Sequence, residues 1–207
     1  MIDIYKRLAT AGMIAAALAA AASAQTTGDS VPRVPANLEV PSGNTVFLAG
    51  RAIGTQNYVC LPAPSGVAWT FFNPQATVYF DAKLFGIAID HQILTHFLSP
   101  NPAEKDTARV TWQSSDDSSA VWGKTAQTST DPGYVAARSI PWVLLQAVGT
   151  KVGPTGGDTM AQTTYVQRLN TAGGVAPQTG CADATNIGAT ALVPYTADYF
   201  FYKAAAK

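Results

Sequence analysis

The sequence GTQNYVC at residues 54–60 opens the most strand-like part of the chain and carries one of its two cysteines. Its threonine, tyrosine and valine belong to the β-branched and aromatic types that are enriched in strands. The second cysteine, Cys181, lies near the other end of the chain. A bond between Cys60 and Cys181 would tie an early strand to a late turn, so the fold depends on this stretch.

Outward from this stretch, the sequence is a succession of short runs rich in Val, Ile, Thr and aromatic residues. The runs cover residues 45–52, 55–61, 67–72, 76–80, 86–94, 109–113, 120–124, 140–148, 159–170 and 195–203. Turn signals separate them, including Gly54, Asn73-Pro74 and the polar segment 114–119. No part of residues 25–207 has the apolar periodicity of a helix through three turns. The pattern predicts an all-β fold, a single-domain antiparallel β-sandwich or barrel with one long-range disulfide.

The N-terminus has the pattern of a secretory signal peptide. Lys6 and Arg7 precede an apolar run that ends at Ala22-Ser23-Ala24, an A-x-A cleavage site. At about 15 residues this run is shorter than the roughly 20 that a bilayer core requires. We expect residues 1–24 to be removed near Ala24, with no membrane span after that. An extended, proline-bearing arm at 25–41 and a single β domain at 42–207 would remain.

The charge of the mature chain is close to neutral. The whole chain has 13 basic and 13 acidic residues, and the signal segment holds Lys6, Arg7 and Asp3, which leaves 11 and 12. Without a basic stripe to neutralise phosphates, a nucleic-acid partner is not expected. Charged residues are only 13% of the chain, a composition common among exported all-β proteins. The signal peptide, with cleavage near Ala24, predicts that the protein is secreted or periplasmic.

Two cysteines in an exported protein predict one disulfide between Cys60 and Cys181. The closed loop of about 120 residues corresponds to an upper figure of roughly 4–5 kcal/mol in the chain-entropy model. The alternative is a reactive thiol, which requires an activating base and a reducing compartment.

Motifs for common chemistries are missing from the sequence. It contains no G-x-G-x-x-G after a strand and no G-x-S-x-G. His91 and His96 lie five residues apart, a spacing that serves neither one helix face nor one strand face, so no metal site is predicted. If residues 86–94 form a strand, His91 shares an inward face with isoleucines. We predict no catalytic residue and no cofactor.

Several polar and aromatic residues remain candidates for ligand binding. Asp117 could form a hydrolytic pair with another carboxylate or solvate a loop, and Arg168 could pair with Asp117 or Asp198. The tryptophans could pack in the core or line a groove that stacks sugars. The candidate ligand-binding residues are Gln56, Asn57, Tyr58, Trp69, His91, Trp112, Asp117, Trp142 and Arg168.

Six ordered motifs resemble a family of exported proteins of unknown function from bacteria and fungi. The motifs are GTQNYVC at 54–60, AWTFFNPQA at 68–76, TWQSSDDSSAVWG at 111–123, IPWVLL at 140–145, YVQRLNTAGGVAP at 165–177 and VPYTADYFFY at 193–202. Some fungal members carry the label malate dehydrogenase, but this chain lacks the phosphate-binding glycines and helix–strand alternation of such enzymes. Residues 86–109 look longer than the matching segment of many members.

The resemblance implies no reaction, so three hypotheses remain for function. The first is a non-enzymatic binding or surface-interaction β domain, with a glycan or small molecule as a possible ligand. The second is an extracytoplasmic hydrolase acting on a polysaccharide or small molecule. The third is a structural or stress-related wall component. A pocket with convergent Asp, His and Arg would favour the second, and a groove with exposed tryptophans would favour the first. Oligomeric state is not predicted.

Overall fold

A computed structural model describes residues 31–84 and 87–206. For residues 81–89, it describes the backbone only where these ranges include it and no side chains. The predicted signal peptide, residues 1–24, and the first part of the arm lie outside these residues. Within the described ranges, no helix is both long enough and apolar enough to cross a membrane.

The chain forms a closed barrel of antiparallel strands in which each strand pairs with its neighbour in sequence and the last pairs with the first. The strands are β1 (Asn44–Ala63), β2 (Gly66–Leu84), β3 (Ile87–Asn101), β4 (Thr107–Ser114), β5 (Ala120–Ser129), β6 (Trp142–Lys151), β7 (Thr163–Gly173) and β8 (Thr190–Ala204). Three single turns of 3₁₀ helix lie at Ala36–Leu38, Pro102–Glu104 and Ala184–Asn186. The all-β, antiparallel prediction is confirmed, and the architecture is the barrel.

Two predicted strand breaks, at Gly54 and at Asn73-Pro74, are wrong. Gly54 lies inside β1, where a Cβ would sit 2.2 Å from the Gln75 carbonyl oxygen, so glycine permits close strand packing. Pro74 lies inside β2 opposite Gln56, next to a bulge that leaves Phe72 without a partner on β1. Pairing of β2 with β3 begins only at Ala76, so no β3 acceptor needs the missing proline N–H.

Alternation along the strands produces two apolar clusters, one inside the barrel and one outside it. On β8, Tyr199 and Phe201 belong to the inner cluster, whereas Phe200 and Tyr202 belong to the outer one. On β6, Val143 belongs to the inner cluster. Because strand side chains alternate between faces, β1, β6, β7 and β8 contribute to both clusters.

The N-terminal segment covers the outer cluster. Leu38, in the first 3₁₀ turn, is fully buried there, and Val34 and Val40 pack beside it. The buried Gln167 donates a hydrogen bond of 2.6 Å from Nε2 to the Leu38 carbonyl oxygen. The described part of the arm is therefore packed against the barrel wall.

The predicted disulfide between Cys60 and Cys181 is confirmed, and it spans 121 residues of sequence. It fixes the connection between β7 and β8 to the end of β1. Backbone hydrogen bonds reinforce this link, because the Cys60 N–H donates to Ala189 and the Gly188 N–H donates to Cys60. Early and late parts of the chain are thus joined at one end of the barrel.

Candidate functional site

A cavity of about 260 Å³ lies within the barrel, and each strand from β1 to β8, together with the segment before β6, contributes to its walls. Polar and aromatic side chains on its walls include Gln56 and Tyr58 of β1, His96 of β3, Trp112 of β4, Arg168 of β7 and Tyr199 of β8. Apolar walls come from Val110, Ile140, Val143 and Leu145. The cavity therefore combines a few polar groups with a largely apolar surface.

Four predicted ligand-binding residues meet at this cavity: Gln56, Tyr58, Trp112 and Arg168. Strand register explains how such distant residues come together. Arg168 lies opposite Val143 on β6 and Tyr199 on β8, and both of these face the barrel interior. Residues directly opposite each other share one face of a sheet, so Arg168 faces inward as well.

Aromatic rings pack closely beside the cavity. The His96 ring stacks on Trp112 with a centroid distance of 4.4 Å and an interplanar angle of 10°. Tyr199 meets Trp112 edge to face at 5.3 Å. Space for the indole comes from Gly123 on β5, because a Cβ there would lie 2.9 Å from the Trp112 ring. These contacts hold the Trp112 ring in one orientation.

His96 is neutral in this environment. Burial lowers its pKa to about 3, and the nearby Arg168 charge acts in the same direction. Its Nδ1 lies 2.9 Å from the Thr111 carbonyl oxygen, which can only accept, so Nδ1 carries the hydrogen. The Nε2 atom therefore holds a lone pair and is a hydrogen-bond acceptor.

Arg168 brings a positive charge to the cavity wall. Its Nη2 donates to the Pro141 carbonyl oxygen at 2.9 Å, which anchors one side of the guanidinium. The predicted pairing of Arg168 with Asp117 is not found among the described side chains. Asp198 lies opposite Leu169 of the outer cluster, so it is on the other face of the sheet from Arg168. Arg168 thus meets no carboxylate in the part of the protein whose side chains are described.

Three buried N–H donors on residues that line the cavity have no acceptor at normal hydrogen-bond geometry among the described residues, although Tyr195 lies close to Gln56 and Tyr199 lies close to Arg168. They are Gln56 Nε2, Trp112 Nε1 and Arg168 Nε. Gln56 and Trp112 are only 3% and 1% exposed. A buried donor without a partner costs about 1–3 kcal/mol, and native proteins usually satisfy such groups. All three donors belong to residues that line the cavity.

Tyr58 joins the cavity to the disulfide-linked connection. Its hydroxyl donates to the Gly174 carbonyl oxygen at 2.7 Å, and its ring meets Phe71 edge to face at 5.8 Å. Gly173 and Gly174 have positive φ, a conformation that glycine adopts without steric cost. Because Phe71 is 45% exposed, this side of the cavity reaches the surface.

The other predicted ligand-binding residues lie elsewhere. Asn57 is buried and donates from Nδ2 to Asn73 Oδ1 at 2.8 Å. Trp69 donates from Nε1 to the Thr179 carbonyl oxygen at 3.0 Å and so holds the connection that carries Cys181. Trp142 is buried in the outer cluster, where it packs against Tyr134.

His91 is not buried, so the prediction that it packs among isoleucines in the interior is wrong. Its side chain is 60% exposed and lies 3.5 Å from the Asp116 carboxylate. The register puts His91 opposite Phe80, which packs against the inner cluster, so the position is on the inner face of the sheet. Pairing of β3 with β4 stops at Leu94, so His91 lies where the β2–β3 hairpin extends beyond β4, past the packed interior.

Asp117 has a structural role between two connections. Its Oδ1 accepts hydrogen bonds from the Ser119 N–H and hydroxyl, at 2.8 and 2.6 Å. Its Oδ2 accepts from the Thr159 N–H and hydroxyl, at 3.0 and 2.7 Å. Burial by itself would raise the pKa of Asp117, but these four hydrogen bonds outweigh it and lower the pKa. Across the described residues, no group of three metal-ligating side chains occurs.

Sequence reasoning missed His96 and Tyr199 as cavity residues. His96 was considered only as a metal ligand, but it lies two residues after the buried Leu94. Tyr199 belongs to a run on β8 in which every second residue faces the interior: Tyr195, Ala197, Tyr199 and Phe201. The two-residue period could have placed both side chains on the inner face, although it could not reveal the cavity.

Comparison with known proteins gives a family but no activity. Searches of curated proteins and of solved structures found no significant match. The model of a family described as "protein of unknown function (DUF3455)" matches residues 41–203, which include every strand except the last residue of β8. The chain therefore belongs to the DUF3455 family.

Proposed function

We propose that the mature protein is an exported, non-enzymatic barrel that binds a small molecule in its interior cavity. The observation that carries the proposal is that three residues lining the cavity, Gln56, Trp112 and Arg168, each have a buried N–H donor without an acceptor at normal hydrogen-bond geometry among the described residues. A bound molecule with acceptor atoms would satisfy these donors. Ligand sites typically have this composition, with a few placed polar groups on an otherwise apolar surface.

The shape of the fold supports this function. A closed barrel of eight strands is just wide enough for its side chains to fill the interior or to hold one small ligand. Here Phe201 and Val78 fill part of the interior, and the cavity occupies the remaining space. The cavity of about 260 Å³ is larger than the roughly 150 Å³ cavity that accommodates benzene in a protein core.

The cavity chemistry favours binding over hydrolysis. A general base works best when its pKa lies near the working pH, and the pKa of His96 is lowered to about 3. Glycoside hydrolysis generally requires two carboxyl groups across the substrate. Among the lining residues, none is a carboxylate. The tryptophans Trp112, Trp122 and Trp142 are buried, so a broad sugar-stacking groove has less support than a compact ligand.

The binding proposal is tested with a fragment library and ligand-observed NMR on the oxidised mature protein. We expect fragments to bind the wild type and to lose binding in Val110→Phe, which adds a ring at the cavity wall. Leu192→Phe is the matched control, because Leu192 is 64% exposed. The proposal would be contradicted if fragments bound both variants equally, or if no fragment bound the wild type. Turnover of a bound ester or glycoside would favour the hydrolase instead.

The export proposal rests on the N-terminal sequence and on the disulfide. Expression with the native leader should release a protein whose first residue is Gln25, as read by N-terminal mass spectrometry. Leu18→Arg places a charge in the apolar run and should block export. Recovery of the wild-type chain in the cytoplasm with residues 1–24 attached would argue against export.

A further inference from the structure

We propose that the ligand of the cavity is a small monocarboxylate with an apolar, ring-sized body. Its carboxylate is bound by Arg168 and Gln56, and its body lies against Trp112 and the apolar wall. This inference rests on the proposed function, since it identifies the chemical class of the molecule that the cavity binds.

The first argument is charge. Arg168 is the only cationic side chain among the residues lining the cavity, and it forms no ion pair with any described side chain. A charge at a partly buried site is stabilised when an opposite charge accompanies it. His96, Tyr58 and Tyr199 contribute no opposing charge near neutral pH, because burial lowers the pKa of His96 and raises those of the two tyrosines. One bound monoanion would therefore neutralise the cavity.

The second argument is the geometry of the donors. A guanidinium presents several N–H groups in one plane, which matches the two oxygens of a carboxylate. The bond from Nη2 to Pro141 holds the guanidinium in place, while the Nε–H has no acceptor at normal geometry among the described residues. The Gln56 amide adds a second donor for which the described part of the chain supplies no such acceptor. A carboxylate supplies acceptors to both residues with one group.

The third argument is the remaining surface. Val110, Val143 and Leu145 form an apolar wall, and the Trp112 ring is held beside it by His96 and Tyr199. An apolar or aromatic body would be removed from water against this wall. The volume of about 260 Å³ accommodates one ring with a short substituent, by comparison with the roughly 150 Å³ cavity that binds benzene.

Calorimetric titration with matched probes tests the inference. We expect benzoate and cyclohexanecarboxylate to bind at least tenfold more tightly than benzamide, which has a similar shape without the charge. Arg168→Gln should reduce benzoate affinity at least tenfold and leave benzamide affinity nearly unchanged. Arg51→Gln is the control, because Arg51 is an exposed arginine on β1. Circular dichroism checks that each variant is folded.

Arg168→Lys covers the case in which Arg168→Gln does not fold. Lysine retains the positive charge but lacks the planar guanidinium with its paired N–H donors. Benzoate should therefore bind more weakly, but still more tightly than benzamide. Equal binding of benzamide and benzoate, or unchanged benzoate affinity in Arg168→Gln, would overturn the inference. Tighter binding of phenyl phosphate than of benzoate would overturn it in favour of a dianion. Neutral fragments that bind the wild type but not Val110→Phe would preserve the proposed function while this inference fails. If no probe or fragment binds, both fail.

Discussion

At the scale of the residue, His96 links the cavity to the pH dependence of stability. Its pKa is about 3 in the folded protein and ordinarily 6.5. As pH falls below 6.5, the unfolded chain binds a proton that the folded protein does not bind. The stabilising contribution is therefore complete above pH 6.5 and decreases as pH falls towards 3. One pH unit in this range corresponds to about 1.4 kcal/mol.

The first prediction compares urea unfolding at pH 7 and pH 4.5 in the wild type and in His96→Phe. This substitution retains a ring against Trp112 but cannot bind a proton. We expect it to reduce the loss of stability between the two pH values by about 2–3 kcal/mol. His91→Gln removes the exposed imidazole instead and should leave the His96 contribution in place. If the stability of the wild type and of His96→Phe changed identically with pH, His96 would have the same pKa in the folded and the unfolded protein.

Asp117 provides a second prediction at this scale, because its carboxylate accepts four hydrogen bonds from two connections. Asp117→Asn converts an acceptor oxygen into a donor that faces other donors. We expect a loss of about 1–3 kcal/mol in unfolding free energy at pH 7. Asp116→Asn is the matched control, since Asp116 is a 66% exposed neighbour. A similar small effect of both substitutions would contradict the structural role of Asp117.

Because folding lowers the pKa of Asp117, the loss of stability caused by Asp117→Asn should depend on pH. The carboxylate stabilises the fold at pH values above its ordinary pKa of 3.8, and that contribution decreases as pH falls through the lower folded value. The difference between wild type and Asp117→Asn should therefore become smaller below pH 4. This window lies mostly below that of His96, so acid titration to pH 2 separates the two groups.

At the scale of the element, the described part of the N-terminal arm, from residue 31 onward, packs against the barrel wall. Leu38 is fully buried in the outer cluster, and its carbonyl oxygen accepts the hydrogen bond from Gln167. We expect Leu38→Ala to lower the unfolding free energy by about 2–4 kcal/mol, because it leaves a cavity between the arm and the strands. Chemical denaturation measures this difference.

Leu192→Ala is the control for the arm, because it removes the same atoms from a side chain that is 64% exposed. Surface substitutions of this kind usually change stability by less than about 0.5 kcal/mol. Equal effects of Leu38→Ala and Leu192→Ala would indicate that the arm separates from the barrel in solution.

At the scale of the whole molecule, the disulfide joins the first strand to the connection before the last. Because the bond closes a loop of 121 residues, the chain-entropy model assigns it at most about 5 kcal/mol. We expect the double variant Cys60→Ser, Cys181→Ser to melt at a lower temperature than the wild type. Reducing agent should lower the melting temperature of the wild type but not that of the variant.

The same variant also tests the connection near the cavity. Limited proteolysis should cleave between Gly174 and Ala189 faster when the bond is missing, since Trp69 and Tyr58 then hold this segment only by hydrogen bonds. Unchanged melting and unchanged cleavage would indicate that these hydrogen bonds suffice without the disulfide.

The sequence by itself determined the strand content and the disulfide partners. Local preferences are enough for the former, because β-branched and aromatic runs between turn residues favour extended backbone wherever they occur. Two cysteines leave a single pairing within one chain. Local signals failed at Gly54 and Pro74, where a glycine and a proline usually mark turns. Their neighbours across the sheet instead make both compatible with long strands.

Only the tertiary structure decided which side chains meet. Closure of the barrel depends on the pairing of β1 with β8, between residues more than a hundred positions apart. A strand has a period of two, so one extra residue reverses the faces of everything beyond it. The bulge at Ile93 is such a residue: Ile93 and Leu94 both belong to the inner cluster, so alternation counted from one of them misplaces the residues beyond the other. The side chains of Gln56, Trp112 and Arg168 meet because strand register determines which face each one occupies. That register cannot be read from the sequence.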